Sequence, residues 1–349
     1  MSIKSIALCV AYVLAISGPL ASAVADQDRD HHEADHRENN FSIALWGDMP
    51  YAKNGDNDKI AALIADINAA RVKFSIFSGD IKDGSSACED SQYTSAIERF
   101  NSFRSPMIYV PGDNEWTDCH RTNNGGYNNL ERLDFIRATL FGTAYSFGQH
   151  PMKLEHQGTP AEMYAENTRW TYGKVVFVGL NIPGSNNNKV NSDAECIKKS
   201  ARTLEDCADD NAEYLARDAA NISFVKASFQ KAKDQHAAGI MIVIQADPGF
   251  DLPETEDVNE RIQPGVDGYD NFMATLVEET NNFNGQVVLV HGDTHFYKVD
   301  KPLVNQANLV KNFTRLETFG SPNIHWVKVT VDIHSPNVFS FEPVIVPGN

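Results

Sequence analysis

An α/β fold, one two-layered domain in which buried strands alternate with helices, is predicted by three observations. Short apolar runs end repeatedly on Gly-Asp, the stretches between them carry apolar residues at helical spacing, and the C-terminal tail alternates with turns and has no helical segment. Phe41–Asp48 (FSIALWGD) reads as the first strand and Asp56–Val72 as a helix with Ile60, Leu63, Ile64 and Ile67 on one face. Phe74–Asp80 (FSIFSGD) is the next strand, Asp90–Phe103 a helix, and Met107–Asp113 (MIYVPGD) a third strand, which gives β-α-β-α-β. Leu130–Phe141 reads as a helix, Lys174–Asn181 as a buried strand, and Ala208–Gln235 as one long helix or two with a break near Asn221. Gly239–Gln245, Tyr269–Phe283 and Gln286–Asp293 (QVVLVHGD) continue as strand, helix and strand. The polar run Asn181–Cys207 between them is too long for an ordinary connection and predicts a stapled loop.

Composition narrows the function classes. Thirty Lys and Arg against 47 Asp and Glu leave a net charge of −17, a surface that repels polyanions at long range, so no nucleic-acid partner is expected. An anionic substrate would need a local cation. The motifs GxSxG, GxxxxGK[ST], HExxH and GxGxxG are all absent, which removes the commonest serine-hydrolase, P-loop, zincin and dinucleotide-binding readings.

Residues 1–25 carry Lys4, an apolar run from Ile6 to Ile16, a Gly18-Pro19 break and the small-residue ending Ala23-Val24-Ala25. That pattern predicts a cleaved secretory signal and a secreted or periplasmic protein with no membrane span in the mature chain. Residues 26–40 are charged and lack apolar periodicity, which predicts a flexible leader to a domain over 41–349. In an oxidising compartment Cys88, Cys119, Cys196 and Cys207 would pair; of the three possible connectivities, Cys88–Cys119 with Cys196–Cys207 is favoured.

The chemistry lies at the strand ends. Asp48, Asp80, Asp113 and Asp293 each follow a glycine at the carboxyl end of a predicted strand, where α/β sheets open into ligand crevices. One such aspartate is commonly a helix cap, but four gathered carboxylates repel and resist desolvation unless cations neutralise them. A divalent metal cluster is therefore expected.

These segments resemble the calcineurin-like metallophosphoesterases, whose pattern is D-x-H, G-D-x-x-D, G-N-H-D/E, a later His, and G-H-x-H. The matching stretches are Gly47-Asp48-Met49-Pro50, Gly79-Asp80-Ile81-Lys82-Asp83, Gly112-Asp113-Asn114-Glu115, Ile244-Gln245-Ala246-Asp247 and Gly292-Asp293-Thr294-His295, in the family's order. The resemblance implies a β-sandwich flanked by helices, four layers α/β/β/α, and two divalent metal ions. It places Asp48 and His295 on one metal, Asp80 between the two, and Asp113, Gln245 and Asp293 on the other. It further implies hydrolysis of a small phosphate monoester or diester by a metal-bridging hydroxide.

Several positions depart from the pattern. Pro50 stands where a ligand His is usual, Asp113 replaces Asn, Asn114 replaces the His that assists the leaving group, Gln245 or Asp247 must stand in for the later His, and Asp293 replaces the first His of the last segment. An oxygen-rich site favours Mn²⁺ or Mg²⁺ over Zn²⁺, with Fe not excluded. Asn114 would contact the phosphate but cannot transfer a proton, so His120, His291 and Lys82 become candidate donors, and His120 is the preferred catalytic residue. A Cys88–Cys119 bridge would hold His120 and Arg121 near the site, where Arg121 could grip a phosphate oxygen. Tyr51 is a candidate to fill the position Pro50 leaves open. The rival readings are a non-catalytic or single-metal binding protein on the same fold, and a metal-dependent hydrolase of a non-phosphate ester. Substrate identity and oligomeric state are not readable from the sequence.

Overall fold

A computed structural model of the chain describes residues 39–252, 258–305 and 308–349. The secretory signal expected over 1–25 and the leader expected over 26–40 lie outside the described residues, apart from positions 39 and 40.

Two sheets carry the fold. In the first, β1 (Asn40–Trp46), β2 (Ser75–Phe77) and β3 (Met107–Tyr109) run parallel, joined by α1 (Asn57–Ala69) and α2 (Asp90–Asn101). After α3 (Asn129–Leu140) the chain builds a second sheet from β4 (Glu155–His156), β5 (Thr168–Tyr172), β6 (Val175–Gly179), β7 (Gly239–Val243) and β8 (Gln286–His291). Helix α4 (Leu204–Asp234) links β6 to β7, and α5 (Asp270–Asn281) links β7 to β8. Beyond β8 come β9 (Lys298–Asp300), the small β10–β11 pair (Val304–Asn305 and Asn308–Leu309) and β12 (Phe313–Glu317), which lies parallel to β8. The tail returns as β13 (Trp326–Asp332) and β14 (Phe339–Val344) to the first sheet. The orders are β14-β13-β1-β2-β3 and β4-β5-β6-β7-β8-β12-β9.

The strand period of two sorts each strand's residues between two cores. Phe41, Ile43 and Leu45 of β1 face inward and meet Phe177, Met241, Val243, Val288 and Val290 of the other sheet. Ala44 and Trp46, on the opposite face, pack with Ile60, Leu63 and Ile67 of α1, Tyr93 and Phe100 of α2, and Leu133 and Ile136 of α3. Val176, Ile240, Ile242, Val287 and Leu289 bury their outer face under Phe224, Phe229, Phe272 and Leu276 of α4 and α5. The order is helix, sheet, sheet, helix. The two layers expected from the strand and helix pattern are thus corrected to four, as the family resemblance implied, because a second sheet covers the inner face of the first.

Helix α4 corrects the expected break. Asn221 sits inside one continuous helix; its side chain accepts from Asn167 Nδ2 at 2.7 Å and donates to the Asn181 carbonyl at 2.9 Å. It braces the strand end of β6 rather than interrupting the helix. The expected staple is present: Cys196–Cys207 closes the loop ahead of α4, and Cys88–Cys119 closes the connection between the β2 and β3 loops. Among the described residues no helix is long and apolar enough to cross a membrane.

Candidate metal centre

The parallel strands β1, β2, β3, β7 and β8 all point their carboxyl ends toward one side of the sandwich, and the Gly-Asp turns meet there. Asp48, Asp80 and Asp293 leave their strands in the left-handed backbone region, with φ of 51°, 65° and 74°, and His295 follows at 64°. Such angles are uncommon for residues with a side chain and mark backbone held against its preference. The flanking glycines make room. A Cβ on Gly292 would lie 1.9 Å from Asp48 Oδ2, and one on Gly112 would lie 2.2 Å from Asp80 Oδ1. The recurring Gly in Gly-Asp is thus a steric requirement of the cluster itself.

Asp48, Asp80 and His295 each bring a ligand atom within 4.8 Å of the others. Asp48 Oδ1 accepts from the Asp293 amide at 3.0 Å, while its Oδ2 is buried without a partner. His295 Nδ1 lies 2.8 Å from the Ser321 carbonyl, so it carries the proton and leaves Nε2 as a lone pair, 3.7 Å from Asp48 Oδ1. Asp80 Oδ2 accepts from Tyr51 Oη at 2.8 Å and from Asn114 Nδ2 at 2.6 Å. Burial, reinforced by the neighbouring carboxylates, raises the Asp48, Asp80 and Asp293 carboxyls well above their ordinary range. Buried carboxylates that face one another around an orphaned oxygen are the electrostatic signature of a cation site, and this donor set fits one.

The second half of the cluster is organised differently. Asp113 Oδ2 lies 2.8 Å from Ser185 Oγ, which also lies 2.7 Å from Asp118 Oδ1. One hydroxyl proton cannot serve both carboxylates, and Asp118 is pushed up to about 7, chiefly by burial and then by Asp113. Gln245 reaches the cluster through its amide. Its Oε1 accepts from the Gly184 amide at 2.6 Å, which turns Nε2 toward Asp113 Oδ1 and Asp293 Oδ1, both at 3.4 Å. The backbone donor at Gly184 thus takes up the Gln245 oxygen in this arrangement, and the side chain links two carboxylates.

His120 lines a cavity of about 760 Å³ that opens beside Asp293, and its Nδ1 is buried without a hydrogen-bond partner. Burial first, then Arg202 and Arg121, hold its pKa down to about 3, so at neutral pH it is neutral and has no acidic proton to give. Arg121 lines the same cavity, with one guanidinium nitrogen 2.5 Å from Asp118 Oδ2 and another donating to Ser185 Oγ at 3.2 Å. Lys82 is buried, donates to the Asp83 carbonyl at 3.1 Å, and is lowered by that burial. Tyr51 does meet the cluster, as a neutral phenol whose pKa burial and Asp80 raise.

Two contributions were not anticipated from sequence. Glu115 is fully buried, and its Oε1 collects Gly112 N at 2.7 Å, Tyr109 Oη at 2.8 Å and Asp80 N at 3.2 Å, locking the β2 and β3 turns together. The turn 185–188 is a run of consecutive left-handed residues, with φ of 50°, 56°, 58° and 65°. Arg217 of α4, itself fully buried, holds that turn by donating to Asn187 Oδ1 at 2.5 Å and to the Asn187 and Asn181 carbonyls. The only sequence signal was the Ser-Asn-Asn-Asn run, since Asn tolerates this backbone better than most residues.

No family model matches the chain, and no curated protein matches it in sequence. Among solved structures, PhoD superposes with a TM-score of 0.53 at 11% identity, covering 89% of this chain and 67% of PhoD. The fold is that of the calcineurin-like metallophosphoesterases. Purple acid phosphatase PPD1 from yellow lupin (Lupinus luteus) seeds gives a TM-score of 0.49 at 12% identity, covering 88% of this chain and 52% of that one. The 5'-nucleotidase from Candida albicans SC5314 gives 0.41 at 11%, covering 86% and 50%.

Proposed function

We propose that this chain is an exported, metal-dependent phosphoesterase that hydrolyses a small phosphate monoester or diester. The observation that carries the reading is the convergence of Asp48, Asp80 and His295, with Asp113 and Asp293 joined to them, at the strand ends of a metallophosphoesterase fold, with the Asp48 Oδ2 oxygen left unpartnered. Asp48, Asp80 and His295 would hold one divalent cation, and Asp113 and Asp293, with Asp80 shared, a second. Divalent cations bound there supply neutralisation of phosphoryl charge and a water acidic enough to attack at neutral pH.

The chain's own groups do the positioning. Asn114 Nδ2 and Tyr51 Oη converge on Asp80 Oδ2 and can turn to donate to a phosphoryl oxygen. Arg121 and Ser185, on the cavity wall beside Asp113, offer further donors to the substrate's anionic oxygens. The oxygen-dominated donor set supports Mn²⁺ or Mg²⁺ ahead of Zn²⁺. Two disulfides suit an oxidising compartment and support export.

The orientation of Gln245 favours a second reading, a site that keeps only the Asp48, Asp80 and His295 cation and does not hydrolyse phosphate esters. Turnover of an aryl phosphate in Mn²⁺ separates the two. Hydrolysis that disappears in Asp80→Asn, with the fold intact by circular dichroism, supports the phosphoesterase. Mn²⁺ binding to these residues without turnover of aryl mono- or diesters supports the single-cation protein.

A further inference from the structure

A second cluster of metal-type donors lies on the outer face of the larger sheet. Asp247, His291 and Glu317 bring one ligand atom each within 4.8 Å of one another. His291 and Glu317 are in register on β8 and β12, and both are fully buried. Asp247 comes from the turn after β7. None of the three belongs to the ligand set of the first cluster, although the Asp247 amide donates to Asp293 Oδ2 at 3.3 Å.

Each residue is anchored through one atom and leaves another free. Asp247 Oδ1 accepts from the Gly249 amide at 3.0 Å. Glu317 Oε1 accepts from the Phe296 amide at 2.7 Å and from the Thr294 hydroxyl, while Oε2 is buried with no partner. His291 Nδ1 lies 3.0 Å from the Gly292 carbonyl, which assigns the proton to Nδ1 and leaves Nε2 a lone pair, again buried with no partner. Two carboxylates and an imidazole lone pair are three acceptors facing one another, and no donor lies among them. Unpaired acceptors on the buried His291 and Glu317 are costly, and backbone-anchored ligands with one free donor atom each are how proteins prepare metal sites.

We infer that Asp247, His291 and Glu317 form an additional cation site, taking one divalent transition-metal ion. One nitrogen and two oxygens suit Mn²⁺, Fe²⁺ or Zn²⁺ better than Mg²⁺ or Ca²⁺. The ion fastens the turn after β7 to β8 and β12. It thereby fixes the Asp247 amide that supports Asp293, a brace for the neighbouring centre rather than a participant in its chemistry.

The test is anomalous scattering from crystals of the full chain soaked in saturating Mn²⁺, with bound metal counted on Glu317→Gln and His291→Gln. The expected result is an anomalous peak bonded to all three residues in the wild type. Each variant should lose one equivalent of Mn²⁺ and keep any peak at Asp48, Asp80 and His295. Ordinary water density between the three residues, with no anomalous peak there, overturns the inference whatever the first cluster binds. So does a folded Glu317→Gln protein that retains the wild-type metal content. The wild-type map decides alone if neither variant folds.

Discussion

The disulfide Cys88–Cys119 ties the loop that follows Asp80 to the loop that follows Asp113, so its removal should be felt at the metal centre as well as in stability. Its ends are 31 residues apart; loop-closure entropy at that length puts its contribution at about 3.7 kcal/mol. Cys196–Cys207 spans 11 residues and on the same basis contributes about 2.8 kcal/mol. The two double variants, Cys88→Ala with Cys119→Ala and Cys196→Ala with Cys207→Ala, should therefore differ by only about 1 kcal/mol in urea unfolding. They should differ far more in Mn²⁺ affinity measured by calorimetry. Loosening the supports of metal ligands typically weakens binding roughly 10–100-fold, and only the first bridge joins two ligand-bearing loops. The second anchors the start of α4, where Arg217 independently holds the 185–188 turn, so its loss should leave Mn²⁺ affinity unchanged. Equal weakening in both variants, or none in the first despite lost stability, would refute the idea that this bridge organises the site.

Gly184→Ala should abolish ordering of the Asp113 and Asp293 half of the centre, because its Cβ would lie 2.7 Å from Asp113 Oδ2 and 2.9 Å from Asp293 Oδ1; a crystal structure in Mn²⁺ that retains both carboxylate positions would contradict this. For His120, the folded pKa of about 3 lies below the ordinary 6.5, so the unfolded chain binds the extra proton, and the His120 contribution is complete above about pH 6.5 and lost as the pH falls toward 3. Between pH 7 and pH 5 that amounts to about 2 kcal/mol, and urea titrations of His120→Gln should show a stability curve flatter by this amount; parallel curves would mean the ring titrates freely. If the chain hydrolyses phosphate esters as proposed, departure of the alcohol would get little acid assistance from Asn114, which cannot release a proton, or from His120, which is neutral. Turnover should consequently fall steeply as the leaving-group pKa rises across a series of aryl and alkyl phosphates, and a flat series would reveal a general acid elsewhere.

What was legible in the sequence, and what was not, divides along physical lines. Phe41–Trp46 is apolar at nearly every position, and that alone says both faces of the strand are covered, by the opposing sheet on one side and α1 on the other. It does not say by what, which is why the second sheet and the fourth layer came only through the resemblance. The Gly-Asp strand ends were readable because close packing of a turn against a carboxylate excludes any Cβ, a constraint written in one residue. Asn221 read as a helix break because its propensity is local, whereas its role, bonding to Asn167 and the Asn181 carbonyl, is tertiary. The orientation of the Gln245 amide was not readable, since what orients it is a single backbone N–H on Gly184, 61 residues away in the chain.

The departures from the family's histidine pattern form a connected set. Replacing an amide by Asp113 and an imidazole by Asp293 adds negative charge at a place where burial already raises the carboxyls of Asp48, Asp80 and Asp293. The chain answers with neutral donors at several of the resulting contacts: Asn114 and Tyr51 on Asp80, Ser185 on Asp113, and Gln245 between Asp113 and Asp293. Each such donor lowers the cost of the carboxylates when no cation is bound, and each must be displaced or turned aside before a cation can take the same oxygen. Affinity for the first cation should therefore exceed that for the second, because Asp48 Oδ2 faces the site with no donor on it, while Asp113 and Asp293 are already linked through Gln245. Substituting Gln245→Ala removes that competitor without touching a carboxylate, so it should strengthen the weaker of two Mn²⁺ binding steps, an outcome opposite to the loss expected if Gln245 were itself a ligand.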